Sequence, residues 1–419
     1  MENHHDRVSR WKTRLAAMGP GILLASAAVG GSHIVSSTQA GAIYGWQLAI
    51  LVLVINLVKY PFFRFGTQYT LTTGKSLIEG YAEKGKWYLI LFFFMNIFSA
   101  LINTAAVSIL AAAILYNIFP SGFGLSISQL TTMIIIVTWA MLLIGGYRFI
   151  DGLSKWVMTA LTLATTAAVL IAIFQHREYV PDFSAPSPWQ LAALPFIVSL
   201  MGWMPAPIEI SAINSMWNVE KQKSVKVSFA DGLFDFNVGY IGTAILALIF
   251  LALGALIQFG SGEAIQGASA AYIEQFIGMY ARALGDWSRL LIAFIAFLCI
   301  FGTVITVIDG YSRANAETLR LLRGQKMSSP MAFNIWITAT SLIAIVIVFF
   351  FAGNVATMLR FAMIASFLTT PFFAYLNYML VTKEDTSMPK WLRWLSIVGL
   401  IYLFGFALFF LYAIMIGAV

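Results

Sequence analysis

Apolar residues run through this chain in stretches of about twenty, separated by short segments that hold most of the charge. That length is what an α-helix needs to cross roughly 30 Å of hydrocarbon. Leu89 opens one such run, LILFFFMNIF, with no alternation of polar and apolar positions. Barrel strands would alternate in runs of about ten residues, so the pattern predicts helices, whose backbone hydrogen bonds close within each segment. Spans are expected at 17–45, 46–68, 87–118, 128–145, 153–174, 189–216, 228–258, 285–309, 331–353, 356–381 and 391–417. Residues 1–16 read as a cytoplasmic segment without a signal-peptide cleavage pattern, and 17–419 as one transmembrane domain.

Two spans are interrupted. The first reads GPGILLASAAVGGSHIVSSTQAG, with Gly30, Gly31 and Ser32 near its middle. The sixth reads PFIVSLMGWMPAPIEISAINS, and its prolines, Pro205 and Pro207, make a continuous helix there improbable because proline clashes with the preceding turn and lacks an N–H. Paired breaks five spans apart are the sequence sign of two inverted repeats around a mid-membrane site. Repeat one then covers about 17–174 and repeat two about 189–381, with an extra helix at about 391–417. The competing reading is that Gly and Pro merely kink or pack these helices.

Composition sharpens this picture. Sixty per cent of the 419 residues are hydrophobic and 10% charged, a balance that lipid must cover. The net charge of +7 reports topology, because short cytoplasmic loops collect Lys and Arg. With the amino terminus inside, cytoplasmic segments hold nineteen basic residues and the opposite side four, Arg177, Arg282, Arg289 and Arg360, while Lys59 and Arg64 lie within span two. Lipid head groups are the expected partner of this charge, and nucleic acid is not. Trp46, Trp87, Trp189, Trp287 and Trp391 fall at span ends as an interfacial belt. The one cysteine, Cys299, excludes an intramolecular disulfide.

The segments GPGILLASAAVGGSHIVSSTQAGAIYGW, TTGKSLIEGY, MPAPIEISAINS and FGTVITVIDGY, in this order and spacing, resemble the Nramp family of divalent-metal transporters. The resemblance implies an all-α integral membrane protein with a LeuT-type fold of ten core helices and an eleventh. It also implies a metal site built from an Asp and an Asn of a D-P-G-N break and a Met of an M-P-H break. Here Gly30 stands at the Asp, Gly31 at the Pro, Ser32 at the Gly and His33 at the Asn; Met204 and Pro205 match, and Ala206 replaces the His. A site without a carboxylate holds a dication poorly. Asn103 and Ala106 occupy the places of the family's span-three acids, and span nine has no ionisable residue, so proton coupling by that route is not expected.

Candidate site residues follow. His33 is an intramembrane ionisable group that could ligate a metal or only bond a broken-helix carbonyl. Glu209, two residues after Pro207, could supply the missing charge or cap its own half-helix. His33, Glu209 and Met204 together form the candidate metal set, and Gly30, Gly31, Ser32 and Ala206 complete the substrate site. Lys59 and Arg64 are expected to snorkel to the inner surface. Asp231 and Asp235 could pair with them as an inner gate, with Asn103 as a further coupling candidate. Asp309 is expected to end span eight in water. Trp203 either walls the cavity or packs.

Two functions remain open. One is a cation transporter of altered selectivity, Mg²⁺ being a reasonable case because oxygen atoms can hold it through its waters. The other is a transporter of a small organic solute, uncoupled or coupled to Na⁺, with Thr303 and Thr306 as hydroxyl ligands. A channel is disfavoured by the paired breaks. Without a Walker loop, HExxH pair or nucleophile elbow, enzymatic activity is not expected, nor is any cofactor. A monomer in a bacterial inner membrane is the expected setting.

Overall fold

The computed structural model describes residues 14, 16–119, 124–145, 148–175, 180–181, 183–267, 269–327, 329–351, 354–384 and 388–419. The amino-terminal segment, Arg14 and Ala16 excepted, and Arg177 lie outside the described residues.

Span one consists of α1 (Pro20–Ala28), a π-helical stretch Ser32–Ser37 and α2 (Thr38–Tyr44), and it bends by 50° at the break. Span two is α3 (Ala49–Thr73), which continues through Pro61. A short helix α4 (Leu77–Lys84) follows, started by a reciprocal Ser76–Glu79 capping box. Spans three to five are α5 (Lys86–Ile118), α6 (Ile127–Ile144) and α7 (Arg148–Phe174). Span six is again split, into α8 (Leu194–Trp203) and α9 (Ile210–Ser224). Then come α10 (Phe229–Ile257), α11 (Ala270–Leu284), α12 (Ser288–Leu322), α13 (Pro330–Phe350), α14 (Val355–Glu384) and α15 (Lys390–Met415).

Among the described residues, nine continuous helices are long and apolar enough to cross a membrane, and the bent pair of span one makes a tenth. Span six completes the eleven, its first half being a short apolar helix. The helix α11 was not expected from hydropathy. It is amphipathic, and Tyr272, Ile273, Phe276, Ile277 and Tyr280 bury one helical face at i, i+3/i+4 spacing.

Span eight corrects an expectation. It does not end at Asp309 and Gly310 but runs on to Leu322. Asp309 is buried and held by Arg313 one turn later, at 2.7 and 2.9 Å, an i,i+4 pair that carries the helix past the glycine.

Packing divides the helices into two groups. Spans one, two, six and seven contact one another, while α5, α6, α12 and α13 form a second set, with α5 against α12 as its spine. Two buried apolar clusters tie the groups together, one joining Leu24 and Phe63 to Phe92 and Tyr311, the other joining Ile34 and Phe250 to Ile109 and Val304. Span one and α10 lie backbone to backbone on both sides of the bend. A Cβ at Gly21 would stand 2.1 Å from the Asp235 carbonyl oxygen, and one at Gly41 would stand 1.9 Å from that of Leu251. Such close approach is what small residues permit between membrane helices.

Candidate functional site

Span one stops at Ala28 because Val29 takes an extended conformation (φ −77°, ψ 92°). In span six, Met204 is extended (φ −91°, ψ 119°) and regular helix resumes only at Ile210. Pro205 has no N–H, so the Met201 carbonyl loses the donor a continuous helix would give it. The two breaks meet at a small cavity of about 40 Å³, walled by Gly30, Gly31, Trp203, Pro207, Thr303 and Tyr311. That space suits a few water molecules, at about 10–15 Å³ each. Two larger hollows lie toward opposite ends of the bundle. One, of about 450 Å³, borders Pro20, Trp217, Lys221 and Asp309, and the other, of about 380 Å³, borders Gln39, Phe196, Gln266 and Arg360.

The glycines of span one are fitted to their neighbours. A Cβ on Gly31 would stand 2.6 Å from the Trp203 ring, so the indole packs directly against this backbone. Gly30 has more room, its nearest neighbour being the Thr303 hydroxyl at 3.4 Å. Trp203 therefore walls the cavity.

A hydrogen-bonded network crosses the site. The Trp203 indole N–H donates to Asn103 Oδ1 at 3.1 Å, and Ser366 Oγ donates to the same oxygen at 3.1 Å. Asn103 Nδ2 donates to the Tyr311 hydroxyl at 3.0 Å, which donates to Glu209 Oε1 at 2.9 Å. Spans three, six, eight and ten are joined in this way. Ser99 and Lys59 also act on the Glu209 carboxyl. Glu209 Oε2 is buried and has no hydrogen-bond partner among the described residues. Sequence reasoning missed Tyr311 and Ser366, although Tyr311 ends the FGTVITVIDGY segment beside the break.

The other candidates are placed as follows. His33 does not line the cavity. It faces α10, with Nε2 donating to the Thr243 carbonyl at 3.0 Å and Nδ1 2.8 Å from the Ser32 hydroxyl, which also lies 2.8 Å from the Ala28 carbonyl oxygen. Met204 belongs to the apolar cluster that also holds Leu24, Phe63 and Phe92. His33, Met204 and Glu209 thus have different neighbours, and no group of three or more His, Cys, Asp or Glu suited to a metal occurs among the described residues. Thr303 and Thr306 do not converge. Each donates to its own helix, to Cys299 and Gly302 carbonyls, and Thr306 lines the larger hollow while Thr303 lines the cavity.

Of the charged residues of span two, Lys59 overturns the snorkelling expectation. Lys59 is fully buried, and its ammonium donates to the carbonyls of Met201, Gly202 and Ala206 at 2.6, 3.1 and 3.4 Å. The span-six break supplies acceptors that membrane depth otherwise lacks. Arg64 donates to Gln68 at 3.1 Å and lies over the Trp391 ring. The suggested pairing of these cations with Asp231 and Asp235 is likewise replaced by other contacts. Asp235 accepts from the Gly19 and Gly21 amides at 3.1 and 2.6 Å, fastening the start of α1, and Asp231 lies 3.4 Å from Arg14 and caps α10 with Ser228.

Two broken helices facing each other across a cavity, between hollows at opposite ends of one helical bundle, define a transporter with a central site. The family model described as natural resistance-associated macrophage protein-like matches residues 21–413, and the chain belongs to this Nramp family, with its LeuT-type fold. It is 57% identical over 406 residues to an uncharacterized protein of Pasteurella multocida (strain Pm70), covering 96% of this chain and 93% of that one. It is also similar to a divalent metal cation transporter, MntH, of Latilactobacillus sakei, at 22% identity over 60% of this chain and 57% of the relative. A crystal structure of a mutant Eremococcus coleocola manganese transporter shares the fold, with a TM-score of 0.71 and 15% identity, covering 98% of this chain and 88% of that one. The chain is thus a multi-pass integral membrane transporter of the Nramp family.

Proposed function

We propose that this protein is a secondary transporter that moves a cation by alternating access, holding it at the helix breaks through oxygen atoms and without the family's proton route. The observation that carries this reading is Glu209. A carboxylate oxygen buried at membrane depth without a partner is costly. Glu209 stands behind the cavity-lining Tyr311, and a cation that reached it from the cavity would complete its partners. The Thr303 hydroxyl on the cavity wall would add a neutral oxygen. This donor set suits a hard cation such as Mg²⁺ better than a soft transition metal, since the Met204 thioether packs in the core. Asn103 replaces an acid with an amide, which carries no transferable proton, so a pH gradient does not drive the cycle. The amino terminus is cytoplasmic in this reading, the membrane is a bacterial inner membrane, and a single copy of residues 17–419 suffices.

One observation favours a second reading, a small carboxylate-bearing organic solute. The hollow near Gln39 and Gln266 is lined by the guanidinium-bearing Arg360 and, among the described residues, by no carboxylate. Proteoliposomes assayed for Mg²⁺, Mn²⁺ and amino-acid uptake, under imposed Na⁺ and pH gradients in turn, separate the two. Mg²⁺ or Mn²⁺ uptake without proton uptake supports the first reading. Amino-acid uptake with no metal flux replaces it with the second.

A further inference from the structure

The three carbonyls that receive Lys59 are not an arbitrary set. Pro205 removes the partner of the Met201 carbonyl, and Gly202 belongs to the same terminal turn of α8, where the helix dipole is negative. The Ala206 carbonyl would require the Ile210 amide, but that amide donates to Pro207 instead. Three acceptors stripped of their helical donors converge on one point inside the protein. An ammonium has three donors and no acceptor, and Lys59 directs them at this point with no residual exposure. Broken half-helix ends of this kind coordinate coupling cations in inverted-repeat transporters.

We propose that the carboxyl end of α8 is a monovalent-cation seat and that Lys59 fills it permanently as a tethered cation, so that no free Na⁺ or K⁺ is needed there. The lysine arrives from α3, whose contacts with α9 and α10 hold it within the first helix group. Its charge also acts on Glu209, so the same ammonium that closes the carbonyl ring offsets the carboxylate of the break. In a seat of this kind, the covalent tether replaces a co-transported ion. Lys59 is a positioning residue by this account and does not touch the transported species. The inference goes beyond the transport reading, and its main test is read without any flux.

Thermal unfolding of the purified full-length protein in NaCl, KCl or choline chloride at equal ionic strength provides the test. Wild-type protein is expected to melt at the same temperature in all three salts. Lys59→Ala opens the seat and should gain a saturable rise of about 3 °C in one of the alkali salts over choline. Tracer ²²Na⁺ or ⁸⁶Rb⁺ binding to the variant should appear in parallel. Lys59→Met, which keeps the aliphatic stem, is the second variant should alanine prevent folding. Variants that are destabilised equally in all salts would show a purely structural lysine and overturn the proposal. So would saturable Na⁺ or K⁺ stabilisation of the wild-type protein, a comparison that stands even if neither variant folds.

Discussion

The two helix breaks occupy corresponding places in the two repeats, yet they solve the same problem with different chemistry. At span one the freed groups are satisfied locally and without charge, by Ser32 and His33 between the Ala28 carbonyl and Thr243. At span six they draw in Lys59 from α3 and Tyr311 from α12, and the break carries both a cation and a carboxylate. Pseudo-symmetry therefore fixes where the chain unwinds but not what the unwound backbone does. The prolines explain part of the difference, because Pro205 and Pro207 cost span six amide donors that span one keeps. In electrostatic terms the second break is the active partner and the first is a fitted wall.

The largest effect expected from this contrast is at Glu209. Glu209→Gln removes the negative charge that acts on Lys59 but leaves its three carbonyl acceptors in place, so the stability loss should stay below the roughly 3–5 kcal/mol of a broken buried ion pair. Chemical denaturation should register that loss, calorimetry should show cation affinity weakened about tenfold or more, and the double variant with Lys59→Met should lose less than the sum of the two single losses. An unchanged affinity would leave the carboxylate as a half-helix cap and favour the organic solute. Tyr311→Phe removes one donor to a charged oxygen and should cost about 1.5–3 kcal/mol. Its destabilisation should shrink in the Glu209→Gln background, as a double-mutant cycle would measure.

On the span-one side the effects are steric or small. Gly31→Val forces a methyl-bearing carbon against the Trp203 ring and should cost about 1–3 kcal/mol with lost uptake. Combination with Trp203→Leu should recover some of it, and no recovery would mean that the clash lies elsewhere. His33→Ala is the mildest, at about 1 kcal/mol, with substrate affinity retained. A large affinity loss in that variant would make the first break a ligand after all and erase the asymmetry.

The spans and both breaks were legible because hydropathy, glycine and proline are local signals. Tertiary placement was not. Snorkelling is a local rule, whereas the first acceptor of Lys59 is the Met201 carbonyl, 142 positions later in the chain and freed by Pro205. The signal was present in principle, since a proline inside a membrane helix announces an orphaned carbonyl and an intramembrane lysine needs acceptors. Span eight is expected to end at Asp309, but the Asp309–Arg313 pair and the packing of α12 on α5 carry the helix on past Gly310 at the modest cost of one glycine. Nothing local distinguishes a histidine that faces α10 from one that faces the cavity, so the orientation of His33 required the fold.

The glycine contacts between span one and α10 also constrain motion. They recur in reciprocal form, for a Cβ on Gly239 would meet the Gly21 carbonyl oxygen at 2.1 Å and one on Gly254 would meet that of Thr38 at the same distance. These are two clamps, one on each side of a 50° elbow, and α10 is the splint that bears both. An elbow splinted at both arms cannot flex alone. Any rocking that exposes the cavity first to one hollow and then to the other must carry span one and α10 together, and the sliding surface is then the seam with α5 and α12.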